Sequence, residues 1–181
     1  LQAKVQKPYY LLHVLLAIVC SIGVFNRVTF AAFIFVPALT LVKHYLRFKL
    51  LSVVFILTFA ITSYVFILID TRLFNSEALV ITPLNNLRYN ANTDNLALQG
   101  IHPRYTHILI NLPQLIGPAL IPFVFRNHHK TSTAYLSIVS GLVLLSIIPH
   151  QELRFLTPLA PLFCICTDFT NFENPQTVQW I

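Results

Sequence analysis

The sequence predicts an all-α, polytopic transmembrane helical protein with about five to six spans. Three observations lead there. Hydrophobic residues make up 56% of the 181-residue chain and charged residues only 10%, whereas a soluble domain carries about 25% charged residues to hydrate its surface. Apolar runs long enough to cross a bilayer recur along the chain. The basic residues between those runs are unevenly distributed, as they are in membrane proteins. Twelve Lys and Arg with six Asp and Glu cannot cover a globule of this size, so much of the exterior must face lipid. Disorder is excluded too, because 15 Phe and long aliphatic runs bury well.

The elements follow in order. A polar start, Leu1–Lys7, leads straight into Tyr9–Phe25, the first apolar run, and Val28–Val42 follows almost at once. Leu50–Ile69 is a run of twenty residues without charge. Ile108–Phe125 and Ala134–Pro149 come next. Phe155–Thr167 is short and holds Pro158 and Pro161, so it is a sixth span or a re-entrant segment. Proline is tolerated in membrane helices where neighbours satisfy the freed carbonyls. Residues 1–181 are expected to form part of one multispanning membrane domain, with a long non-cytosolic loop over 70–105.

Orientation follows from the basic residues. The second link carries Lys43, Arg47 and Lys49, and the fourth carries Arg126, His128, His129 and Lys130, both without an acid. With Lys4 and Lys7 they fall on one side, expected to be the cytosol. The opposite side receives Arg27, the segment Asp70–Tyr105 and His150–Arg154. All five Lys thus lie on one face and five of the seven Arg on the other. Arg offers a planar fork suited to phosphate, while Lys acts as a point charge. Two readings stand open: a recognition surface rich in Arg, or interfacial anchors that simply obey the positive-inside rule.

Four polar clusters fall on that Arg-bearing side: Phe25-Asn26-Arg27-Val28-Thr29-Phe30, Ile81 to Asn90 with Asn85 and Asn86 at its centre, Gly100 to His107, and His150 to Phe155. Each has a plain alternative. Arg27 can snorkel to headgroups, the Asn-rich stretch can be a turn-forming loop, and His102 and His107 can be buried and hydrogen-bonded. His102 and His107 are five residues apart, which misaligns them for a metal on one helical face, and no metal or cofactor is expected. His128 and His129 read as an interfacial cap. Cys20, Cys164 and Cys166 lie in or at the ends of spans and read as packing residues. The fourth cluster is the strongest. His150, Glu152 and Arg154 fall within five residues at a membrane boundary, where such groups are costly unless they pair or bind a ligand. Arg can clamp phosphate and His can donate to it or move a proton.

His150-Gln151-Glu152-Leu153-Arg154-Phe155-Leu156 resembles the HKExRFL signature of the mannosyltransferases that use dolichyl-phosphate-mannose, glycosyltransferase family 22, with Gln151 where the signature carries Lys. Thr82-Pro83-Leu84-Asn85-Asn86, Gly100-Ile101-His102-Pro103-Arg104-Tyr105-Thr106-His107 and Asn111-Leu112-Pro113-Gln114-Leu115-Ile116-Gly117-Pro118 are similar to the fungal branch that completes the mannose core of GPI anchors. The resemblance covers most of Asn26 to Pro161. It implies a GT-C-type fold and transfer of a fourth, α-1,2-linked mannose from dolichyl-phosphate-mannose to a GPI-precursor glycolipid. It places the reaction in the endoplasmic reticulum membrane, on the lumenal side, with membrane lipids around it and no nucleic-acid partner. His102, Arg104, His107, His150, Glu152, Arg154, Arg27, Asn85 and Asn86 become candidates for substrate and donor binding.

The family's catalytic base is expected in a lumenal loop upstream of residue 1. No Met occurs in the chain and nothing at its start resembles a signal peptide, so it reads as an internal or C-terminal piece of a longer protein, inactive alone. Two alternatives remain open from residues: a sibling mannosyltransferase of the same membrane with another acceptor, and a multispanning transporter. A transporter places its charges near the midplane on broken helices.

Overall fold

The computed structural model describes residues 9–92, 94–95, 100–126 and 132–167. The basic residues Lys4, Lys7, His128, His129 and Lys130 lie outside the described residues, as does the side chain of Arg126. Every regular element among the described residues is helical. They are α1 (Tyr10–Asn26), α2 (Phe30–Arg47), α3 (Lys49–Leu73), α4 (Thr82–Ala91), α5 (Leu112–Ile116), α6 (Leu120–Arg126), α7 (Thr133–Ile147) and α8 (Leu159–Cys166). Among the described residues, three helical runs are long and apolar enough to cross a membrane: Phe30–Arg47, Lys49–Leu73 and His107–Phe125. The α3 run is the most apolar, with a mean hydropathy of 2.5. Its Ile56, Leu57, Ile61 and Val65 are all exposed, an arrangement suited to lipid rather than water. α1 and α7 are apolar but shorter.

The chain divides into two compact units. The first comprises α1, the flanks of α2, α3 and α4. Here α1 packs along α3 through small residues. Ala17 and Ser21 are fully buried, four residues apart on one helical face, and Ser21 Oγ meets Ser63 Oγ at 3.0 Å. In lipid the aliphatic surface gains little from burial, so helices associate where small residues permit close contact and hydroxyls can pair. At the opposite end of α1, His13 stacks on His44 at 5.4 Å between ring centres, and its Nδ1 pairs with the Tyr45 hydroxyl at 2.9 Å. α3 runs beyond the predicted span to Leu73, and the stretch expected as loop contains α4. Pro83 lies in the first turn of α4, where its missing N–H has no intrahelical partner to lose.

The second unit contains residues 32–37 of α2 and the chain from residue 93. Its core is Phe33, Leu112, Ile138, Leu145, Leu156, Leu159, Phe163 and Cys166. Ile138, Gly141 and Leu145 form the buried stripe of α7, spaced three and four residues apart as a helix requires. Gly141 admits the Phe33 ring: a Cβ there would lie 2.3 Å from Phe33 Cδ1. Beside it, Ser140 Oγ accepts from the Val36 N–H at 3.2 Å and donates to the Ala32 carbonyl at 2.5 Å. A hydroxyl from α7 therefore bridges a turn of α2 immediately before Pro37.

The run from His107 to Arg126 is not one regular helix. It begins with a π-helical turn, His107–Asn111, passes through α5, tightens over Gly117–Ala119 and ends in α6. Gly117 has φ 60° and ψ −142°, a conformation open to glycine and strained for other residues. After α7, residues Leu153–Leu156 form a short 3₁₀ turn that leads into α8. Cys20, Cys164 and Cys166 are free thiols.

Candidate functional site

The C-terminus of α7 organises the site. A helix ends with four carbonyls that have no intrahelical donor, and Pro149 prevents the helix from continuing. Gln151, only 2% exposed, folds back over that end. Its Nε2 donates to the carbonyls of Ser146 at 3.0 Å and Ile148 at 3.2 Å. The guanidinium of Arg104 donates to the Ile147 carbonyl, placing a cation at the negative end of the helix dipole. Two polar segments far apart in sequence thus close over one helix end.

The same glutamine joins them. Its Nε2 also reaches the Arg104 carbonyl at 3.2 Å, and its Oε1 accepts the His107 backbone N–H at 2.8 Å. The His102 N–H donates to the Pro149 carbonyl at 2.9 Å. His150 Nδ1 donates to the Gly100 carbonyl at 3.0 Å, with Gly100 at φ 93°, in the left-handed region that glycine adopts freely. The rings of His102 and His150 are 6.2 Å apart.

His150 lies at the head of a charged relay. Its Nε2 faces Glu152 Oε1 at 2.8 Å. Arg154 forks onto the same carboxylate, Nε to Oε2 and Nη2 to Oε1, the latter at 3.0 Å. A two-point fork of this kind holds both planes in register. His150 is 5% exposed, whereas the Arg154 side chain is 68% exposed. The relay thus runs from a buried imidazole to an open guanidinium. Phe155 backs it, edge-on to His150 at 5.7 Å and beneath the Arg154 guanidinium at 5.7 Å.

His107 is fully buried. Within the π-helical turn, Asn111 Nδ2 donates to its Nδ1 at 3.0 Å, so the neutral ring carries its proton on Nε2. That Nε2, the Thr106 hydroxyl and His102 Nδ1 are buried without a hydrogen-bond partner among the described residues. Extra turns of this type inside helices recur at functional sites. The described residues contain no group of three His, Cys, Asp or Glu arranged to hold a metal ion.

The sequence-predicted candidates thus fall into two sets. His102, Arg104, His107, His150, Glu152 and Arg154 are brought together in the second unit. Arg27, Asn85 and Asn86 belong to the first. Arg27 is exposed and follows α1, with its N–H on the Gly23 carbonyl. Asn85 and Asn86 lie on α4, where Asn90 Nδ2 donates to Asn86 Oδ1 at 2.7 Å. Two members of the site escaped the sequence reading, Gln151 as its hub and Asn111. The four-residue spacing from His107 to Asn111 was a usable signal. Nothing local marked Gln151 except a polar amide just past a proline-terminated apolar run.

Residues 2–179 match the Alg9-like mannosyltransferase family. The chain belongs to that family. It is 45% identical over 179 residues to GPI mannosyltransferase 4 of Saccharomyces cerevisiae, covering 96% of this chain and 34% of the relative. Against GPI mannosyltransferase 4 of Candida albicans it is 47% identical over 164 residues, covering 84% and 33%. For the Debaryomyces hansenii protein of the same name it is 44% identical over 168 residues, covering 85% and 31%. The chain spans about a third of the length of these curated relatives. No solved structure matches it. The relay of His150, Glu152 and Arg154 lies within the matched residues.

Proposed function

We propose that this chain is the part of a GPI mannosyltransferase that carries its donor-side polar site. The reaction is transfer of a fourth, α-1,2-linked mannose from dolichyl-phosphate-mannose to the GPI-precursor glycolipid, in the endoplasmic reticulum membrane with the site facing the lumen. One observation carries the reading: the exposed Arg154 guanidinium, held by Glu152 and His150, in a chain about 45% identical to proteins named GPI mannosyltransferase 4.

The chemistry suits a phosphate leaving group. As the sugar–phosphate bond breaks, negative charge grows on the dolichyl phosphate, and donors fixed in advance stabilise it. Arg154 keeps its direction through the carboxylate fork and still exposes most of its side chain. His102 Nδ1, Thr106 Oγ1 and His107 Nε2, on the segment joined to His150, are buried without a hydrogen-bond partner among the described residues, polar capacity held just behind the exposed Arg154. Glu152 fits the role of positioning residue. Its two oxygens already accept from His150 and Arg154, so it has little capacity to take a proton from the acceptor hydroxyl, and the general base is sought elsewhere. The contact between His102 and His150 gathers the polar groups at one place, unlike the dispersed midplane charges of a transporter.

The test is complementation. The intact gene should restore growth and convert the accumulated three-mannose precursor in cells lacking the fourth-mannose activity, and His150→Ala should not, at equal protein level. Rescue by His150→Ala, or failure of the intact gene with normal expression, would overturn the reading.

A further inference from the structure

α3, a run of 25 residues, spans about 37 Å at 1.5 Å per residue, enough for a hydrocarbon core of about 30 Å. Immediately past its end, the chain builds a groove of about 550 Å³ in the first unit, within the range of small-ligand sites. Phe74 and Tyr89 wall it, and Asn85, Asn86 and Thr82 line it. Phe74 is 67% exposed and Tyr89 44%.

The walls are pre-formed. Asp70 Oδ2 accepts the Thr82 hydroxyl at 2.5 Å, tying the start of α4 to the end of α3. Thr71 Oγ1 accepts the Val80 N–H at 2.9 Å while donating to the Ile67 carbonyl at 2.7 Å. Ser76 closes its own turn with Ala78 at 2.8 Å. Asn90 occupies Asn86 Oδ1, which leaves the Asn86 NH₂ to present two donors. The Asn85 amide has no hydrogen-bond partner among the described residues.

We propose that this groove binds the neutral carbohydrate headgroup of a glycolipid. The inference rests on the functional reading above and names the recognition site for its acceptor sugars. Each primary amide offers donors and an acceptor on one planar group, a match for adjacent sugar hydroxyls that both give and take hydrogen bonds. The negative face of an aromatic ring accepts the weakly positive C–H face of a pyranose. Among the described residues, no Lys, Arg, Asp or Glu lines the groove, a lining suited to a neutral headgroup rather than to a phosphate. Its position at the end of an apolar helix matches the depth at which a lipid-linked sugar emerges from the bilayer.

The experiment uses the intact gene product in detergent micelles, with soluble α-linked mannotriose as probe and saturation-transfer NMR as readout. Mannotriose should bind, and Asn85→Ala and Phe74→Ala should each weaken it about tenfold, the worth of one good contact. Asn85→Gln should fall in between, and both Ala variants should raise the KM for a glycolipid acceptor more than the KM for the donor. A glycolipid carrying the same trisaccharide should outcompete the free sugar. Unchanged mannotriose binding in both variants, or displacement of mannotriose by inositol phosphate instead, would sink the groove. Loss of binding in the variants of a protein that transfers no mannose would keep the groove and sink the functional reading.

Discussion

Gln151 Oε1 accepts the His107 backbone N–H at 2.8 Å, across 44 residues of sequence. With three carbonyls on its amide nitrogen, this side chain joins both polar segments of the site to the end of α7.

Replacing it by Leu strands four backbone groups. Unsatisfied buried groups cost about 1–3 kcal/mol each, and partial exposure to water moderates the sum. Gln151→Leu should therefore lower folded yield and thermal stability in detergent strongly. Gln151→Lys supplies three donors to the same carbonyls and loses only the His107 acceptor, so it should stay closer to the parent. Equal stability of the Leu and Lys variants would remove Gln151 as the hub.

Asn111 holds the tautomer of His107. ¹⁵N NMR of the labelled imidazole should show an unprotonated Nδ1 and a protonated Nε2 in the parent protein. Asn111→Leu should yield a mixture of tautomers, since Nδ1 then has no donor. An unchanged spectrum in the variant would mean that other contacts set the ring.

Arg154→Lys preserves charge and abolishes the fork on Glu152. In the intact protein, the proposed transfer should fall by about tenfold or more in kcat, as expected when an oriented donor is lost, with protein level unchanged. Glu152→Gln should cause a similar loss, because it also releases Arg154. Full activity of Arg154→Lys in an assay with purified donor would show that only the charge matters.

Gly141→Ala should destabilise the second unit by about 1–3 kcal/mol through overpacking against Phe33. Phe33→Leu should partly relieve that cost. Thermal denaturation of the two single variants and the double variant forms a cycle; simple additivity would show that the two positions do not touch.

Much was legible from residues alone. Scarcity of charge dictated a lipid-facing exterior, and the apolar runs fall on helical segments, because the bilayer constrains composition and length directly. His150, Glu152 and Arg154 were visible as candidates because charged groups beside membrane spans are rare. Local signals served less well elsewhere. α4 arose inside a stretch read as loop, with Asn-rich composition and Pro83 at its first turn. The run from His107 to Arg126, uniformly apolar to the eye, breaks at Gly117.

The remaining facts depend on partners distant in the chain. Arg104, a substrate- and donor-binding candidate from the sequence, has its guanidinium on the Ile147 carbonyl at the end of α7. Gln151 looked like a departure from a signature and proved to be the central buried amide. Composition and periodicity report how each residue meets its solvent, a property of the residue and its immediate neighbours. Which donor meets which acceptor depends on where α7 ends relative to the 100–107 segment, and that is set only when the helices pack.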